Sequence, residues 1–106
     1  MKKLIFAMII FPAIVQAGNI RDFFKLHPEL DNNIAIHTAI SKTSNFEAAG
    51  FARREGGDED ELMKIKGDQF AILGFRRVKN SCKYPEAAEV LGLTPDDCEI
   101  VLKTDI

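Results

Sequence analysis

An unbroken apolar run, Leu4-Ile5-Phe6-Ala7-Met8-Ile9-Ile10-Phe11, stands directly behind Lys2-Lys3 and sets how much of this chain is left to fold. Pro12 interrupts the run, and Ala13-Ile14-Val15-Gln16-Ala17 follows. A basic start, an apolar middle and small residues at the end are the layout of a cleavable export signal. Ala17 and Val15 occupy the two positions where the processing peptidase demands modest side chains, which places cleavage after Ala17 and a new amino terminus at Gly18. Spanning a bilayer takes about 20 apolar residues, and Leu4–Val15 is shorter than that and broken by Pro12. The expected organisation is therefore residues 1–17 as signal and residues 18–106 as one small globular domain, working in the periplasm or beyond the cell, with no membrane anchor once the signal is gone.

Removing residues 1–17 of 106 leaves 89 and takes Lys2 and Lys3 with it. Twelve basic residues then face sixteen acids, a net charge of −4. A nucleic-acid binder needs a basic surface that displaces counterions from phosphates, so that partner class is excluded, as is adhesion to anionic lipid. Phe23, Phe24, Phe46, Phe51, Phe70 and Phe75 are candidate core residues. There is no Trp and a single Tyr, Tyr84, which tells against a sugar site, where such rings are favoured.

Cys82 and Cys98 are the only cysteines. In an exported chain an even pair reads as a disulfide. Their spacing rules out a CxxC redox motif, and metal ligation would need more thiols or histidines nearby.

The local patterns predict an α+β domain: a small antiparallel sheet with two or three short helices on one side, closed by that disulfide. Asn19 caps a short helix that puts Ile20, Phe23 and Phe24 on one face, and Pro28 ends or restarts it. Ile34, Ile36, Thr38 and Ile40 alternate as in a strand, although Leu30, Ile34, His37 and Ile40 also share a helical face. Ser44-Asn45-Phe46-Glu47 has capping-box form; residues 46–55 suit a helix ending at Gly56 or a strand equally. Gly56–Glu61 reads as a solvated loop. Leu62–Lys66 and Gln69–Val78 flank Gly67-Asp68 as two arms of a hairpin. Pro85 starts a helix that Gly92 ends, and Glu99–Thr104 reads as a closing strand.

No GxSxG, HExxH, phosphate-cradling glycine loop or Cys/His cluster is present, so no cofactor, metal or catalytic residue is assigned. His27 and His37 are the only histidines; His27 stands near Glu29 and Asp31 in sequence only, and His37, alternating with Ile36 and Thr38, is expected on an exposed strand face, so neither is assigned as an activated base. The acidic run Asp58–Glu61 lacks the alternating ligand spacing of a calcium loop. Two arginine pairs remain, Arg53-Arg54 and Arg76-Arg77. On adjacent strands, one member of each pair would form a basic patch suited to carboxylates on another protein; the competing reading pairs them with Glu47, Glu55 and Asp58.

A small exported domain with one recognition face and no chemistry motif is expected to bind another extracytoplasmic protein, as an inhibitor or immunity-type module blocking an enzyme or toxin. The alternatives are an accessory subunit of a secretion or pilus assembly, offering a strand edge along residues 62–66, and a small hydrolase using His27 or His37.

Overall fold

The computed structural model describes residues 18–106; the expected signal segment, residues 1–17, lies outside that range. Among the described residues six helices follow one another: α1 (Ile20–Leu26), α2 (Pro28–Asp31), α3 (Ile34–Glu55), α4 (Glu59–Ser81), α5 (Pro85–Val90) and α6 (Pro95–Lys103). Among the described residues there is no strand, only one isolated bridge between Gly18 and Lys66. The expected α+β architecture is thus replaced by a helical bundle.

Four of these helices (α1, α3, α4 and α6) start at a side chain that accepts from first-turn amides, which have no partner within the helix, whereas α2 and α5 start at a proline with no side-chain cap. Asn19 Oδ1 accepts from the amides of Arg21 and Asp22, and Asp22 Oδ2 accepts from the Asn19 amide at 3.1 Å, completing a reciprocal cap. Asn33 Oδ1 caps α3 through the Ile36 amide at 3.0 Å. Asp58 Oδ1 caps α4, and Glu59, Asp60 and Glu61 fill its first turn. The acidic run is therefore a helix N-terminus, where negative charge is favoured by the helix dipole, rather than a loop. Thr94 and Asp97 cap α6 reciprocally. Asn33 also donates from Nδ2 to Asp97 Oδ1 at 2.8 Å, so one amide starts α3 and docks the start of α6 against it. The Thr94 amide, and then the Asn33 and Thr94 side chains, hold the Asp97 carboxyl below its ordinary range despite some burial.

The long helices α3 and α4 run antiparallel, joined by a turn at Gly56-Gly57-Asp58. Gly56 and Gly57 have φ of +87° and +120°, a region that residues with a Cβ rarely enter. At about 1.5 Å per residue each helix is over 30 Å long. One half of this hairpin carries the core. Ile36, Ala39 and Ile40 of α3 meet Ala71, Phe75 and Val78 of α4, and Phe23, Phe24, Leu30, Ala88, Leu93, Cys98 and Val101 close around them. In the other half Ala48 and Phe70 are buried, and Phe51 sets its ring edge-on to Phe70 at 5.8 Å.

The expected strands fail for identifiable reasons. In Ile34–Ile40, Ile34 is exposed while Ile36, Ala39, Ile40 and Ser44 are buried. That is the spacing of a helix face, and the alternation of isoleucines is incidental. Gly67, Phe70, Ala71, Gly74, Phe75 and Val78 are likewise all buried, again one face of a helix. Gly67-Asp68 is consequently a point on α4 and not a hairpin turn, although α4 does kink beside it, with Lys66 at φ −125°, ψ 22°. Leu62–Lys66 lies within α4, so no strand edge exists there. Glu99–Lys103 completes α6, launched by the Thr94–Asp97 cap. The expected helix from Pro85 is present and Gly92 follows it. Ser44 caps nothing: it is buried inside α3 and donates its hydroxyl to the Ile40 carbonyl at 2.6 Å, the back-bond open to a serine within a helix.

Cys82 and Cys98 form the disulfide, with Cα atoms 5.2 Å apart. It ties the foot of α4 to α6 and encloses α5. Lys79 supports the same junction by donating to the Thr104 carbonyl at 2.9 Å. Among the described residues, no helix is long and apolar enough to cross a membrane.

Candidate functional site

The candidate recognition site is a groove of about 650 Å³ along the seam between α3 and α4. Its position follows from a close backbone contact between the two long helices. Gly74 lies so close to α3 that a Cβ there would fall 2.9 Å from the Ser44 amide nitrogen and 3.0 Å from the Ile40 carbonyl oxygen. Residues one step off this contact line flank the seam instead of filling it. Lys42, Thr43, Phe46 and Glu47 come from α3, while Leu73, Arg76, Arg77, Asn80 and Ser81 come from α4; Leu91 closes one end.

The groove joins an apolar centre to a cationic rim. Phe46 is 62 % exposed and Leu73 40 % exposed, although Phe46 is expected in the core from sequence. Arg77 pairs with Glu47 across the seam. The Glu47 oxygen it meets is buried and has no other hydrogen-bond partner among the described residues, while the Arg77 side chain stays largely exposed, so the pair bridges the two helices at the surface of the seam. Lys42 and Arg76 are exposed and form no ion pair among the described residues. The rim therefore presents two unspent cations on a domain of net charge −4.

The two arginine pairs do not form one patch. Arg53 and Arg54 sit in the last turn of α3, nine residues above Ser44, whereas Arg76 lies two residues below Gly74 on the antiparallel helix. The helical rise puts about 17 Å of bundle axis between Arg53 and Arg76. Both pairs are on helices, so the expected strand geometry, with neighbours on opposite faces, does not apply. Of the proposed acid partners, Glu47 takes Arg77; Glu55 and Asp58 take none of the four arginines. Arg53 and Arg54 instead lie at a helix C-terminus, where cations offset the dipole.

Both histidines pack against rings. His37 stacks on Phe24 with centroids 4.1 Å apart and places Nε2 3.7 Å from Asp31 Oδ1. His27 tilts onto Phe23 at 4.8 Å. Neither lines the groove or the second large cavity, an apolar hollow of about 860 Å³ beside the disulfide bounded by Ala88, Leu93, Cys98 and Leu102. Among the described residues, no three His, Cys, Asp or Glu side chains converge as metal ligands. Asp58–Glu61 is spent on capping and starting α4.

Sequence reasoning reaches Arg76 and Arg77 but misses Phe46, Leu73 and Lys42. Phe46 reads as core because apolar residues usually are; its exposure depends on Ser44 and Ala48 taking the buried positions beside it. Compared with known protein families, with curated proteins and with solved structures, the chain matches none.

Proposed function

We propose that the mature protein is an extracytoplasmic protein-binding module of the inhibitor or immunity type, and that it recognises its partner through the α3–α4 groove. The observation that carries this reading is the pairing of exposed Phe46 and Leu73 with Lys42 and Arg76, whose charges no neighbour neutralises. Interface centres favour aromatic residues and arginine, with polar groups at the rim. The occupant that fits is a protein segment with an apolar side chain for the Phe46–Leu73 floor and carboxylates for the rim, because an arginine fork matches a carboxylate in both shape and charge. The disulfide supports an oxidising compartment, where such bonds persist. The export signal read at residues 1–17 supports the same location.

Parallel capture from an envelope extract tests the proposal. Wild-type mature domain, a Phe46→Ser/Arg76→Glu variant and an Arg53→Ala/Arg54→Ala variant are immobilised separately, and retained proteins are quantified by mass spectrometry. The expected result is a protein held by the wild type and by the Arg53/Arg54 variant, with retention at least tenfold lower on the groove variant; tenfold corresponds to about 1.4 kcal/mol, within the usual range for an interface anchor. Equal retention on all three matrices, or no retained protein, rejects the groove as the recognition face.

A further inference from the structure

The kink in α4 is occupied by the backbone of Gly18. Where Lys66 leaves helical geometry, the Ile65 carbonyl and the Asp68 amide both turn to a residue outside the helix. Gly18 supplies both: its amide donates to Ile65 O at 3.2 Å, and its carbonyl accepts from the Asp68 amide at 3.2 Å. Two carboxylates press on the same residue. A Cβ on Gly18 would fall 2.5 Å from Asp22 Oδ2 and 3.2 Å from Asp68 Oδ2. Neither Asp22 nor Asp68 forms an ion pair among the described residues. The nearby cations Arg21 and Lys66 are exposed. In the uncleaved chain, then, two carboxylates without an ion-pair partner among the described residues stand against Gly18, Asp22 Oδ2 accepting from the Asn19 amide and Asp68 Oδ1 from the Gln69 amide.

We propose that cleavage after Ala17 converts Gly18 into a clamp: the new α-ammonium, held at the α4 kink by the Ile65 carbonyl, is neutralised by Asp22 and Asp68 and locks α1 onto α4. This inference rests on the export reading of residues 1–17. Hydrolysis by the peptidase of the export route consumes one water and breaks the Ala17–Gly18 amide. Ala17 leaves with the signal as a carboxylate, and the nitrogen of Gly18 takes the protons and becomes a cation at neutral pH. An amide with one hydrogen is thereby replaced by an ammonium with three, one for Ile65 O and two more available to the neighbouring carboxylates. Gly67 makes room for the clamp: a Cβ there would sit 2.8 Å from the Ile20 nitrogen and 3.1 Å from Asn19 Cα. Maturation thus completes the tertiary structure as well as releasing the domain.

The sign of the pH dependence follows. Two facing carboxylates, one from α1 and one from α4, raise the ammonium's pKa above the ordinary amino-terminal value of about 7.7–8.0. The stabilisation is then complete below that range and is lost as pH rises through the raised value.

The test compares protein beginning at Gly18 with the same protein acetylated on Gly18, by urea unfolding at pH 6 and pH 10, each also carrying Asp22→Asn/Asp68→Asn. Two partly exposed pairs make the expected difference about fivefold in the folding equilibrium at pH 6. It should vanish at pH 10 and in the double variant. Equal stability of the two forms at pH 6 overturns the clamp, as does an acetylation loss that persists in the double variant, which would be steric. Mass analysis of exported protein separately checks the premise: a start other than Gly18 overturns the processing step, whereas a failed clamp on Gly18-initiated protein leaves the export reading intact.

Discussion

Replacing Gly74 with leucine is expected to cost roughly 3 kcal/mol or more, at the upper end of the range for overpacked interiors. The neighbours of the added Cβ decide this. Ser44 Oγ, which the new Cβ would strike, could rotate, but only by giving up its bond to the Ile40 carbonyl. The Ser44 amide nitrogen and the Ile40 carbonyl oxygen, at 2.9 and 3.0 Å, are backbone and cannot rotate aside. Relief requires α3 and α4 to separate, which opens the packing of Ile40 against Phe75. Glycine costs an α-helix about 1 kcal/mol relative to alanine, so leucine recovers some local propensity, but less than the collision takes away. Since a domain of this length is stable by only about 5–10 kcal/mol, urea unfolding followed by circular dichroism should show a large fall in midpoint. Gly74→Ala should fall between variant and wild type. A leucine variant within about 1 kcal/mol of wild type, less than overpacking normally costs, would show that the seam is looser than these distances imply. The groove would then lose its structural basis, because its walls are placed by this contact.

Loss of the disulfide is the second large effect. Cys82 and Cys98 are 16 residues apart, and closing a loop of that size is worth about 3 kcal/mol in the chain-entropy account. For a domain of this length that is on the order of 15 °C in melting temperature. The enclosed segment depends on the bond more than the long hairpin does. It consists of α5, six residues long and too short to persist alone, and the Gly92–Thr94 link; its buried anchors are Ala88 and Leu93. α6 keeps independent ties through Asn33–Asp97 and Lys79–Thr104. A Cys82→Ser/Cys98→Ser variant should therefore lose amide protection first across residues 83–93, while α3 and α4 stay protected until global unfolding. A melting temperature unchanged by the substitution, or uniform deprotection of all six helices, would contradict this division.

These results also explain which parts of the molecule can be read from the chain and which cannot. The disulfide is legible because a chain with two cysteines offers a single pairing within itself. The cap at Asn19 and the Pro85 helix are legible because a few adjacent residues decide them. The two long helices are hidden by coincident periods: isoleucines at 34, 36 and 40 satisfy strand alternation, while Ile36, Ala39 and Ile40 satisfy helix spacing, and only a partner helix at Phe75 and Val78 chooses between them. Gly67 imitates a turn residue because close helix packing also demands the absence of a side chain. The site is half legible for the same reason. Arg76 and Arg77 stand out as charge, but Arg77 is consumed by Glu47, and the exposure of Phe46 follows from a contact between residues 30 positions apart.

Photocrosslinking in the producing cell tests the recognition face most directly, because it traps a partner of any identity where it binds. A photoreactive phenylalanine analogue is placed at Leu73, on the floor of the groove, or at Arg53, about 17 Å along the bundle. Illumination of intact cells should yield a discrete higher-mass adduct from position 73, abolished by Arg76→Glu, and none from position 53. An adduct from position 53 with none from position 73 would place the partner elsewhere on the domain and contradict the groove as the recognition face.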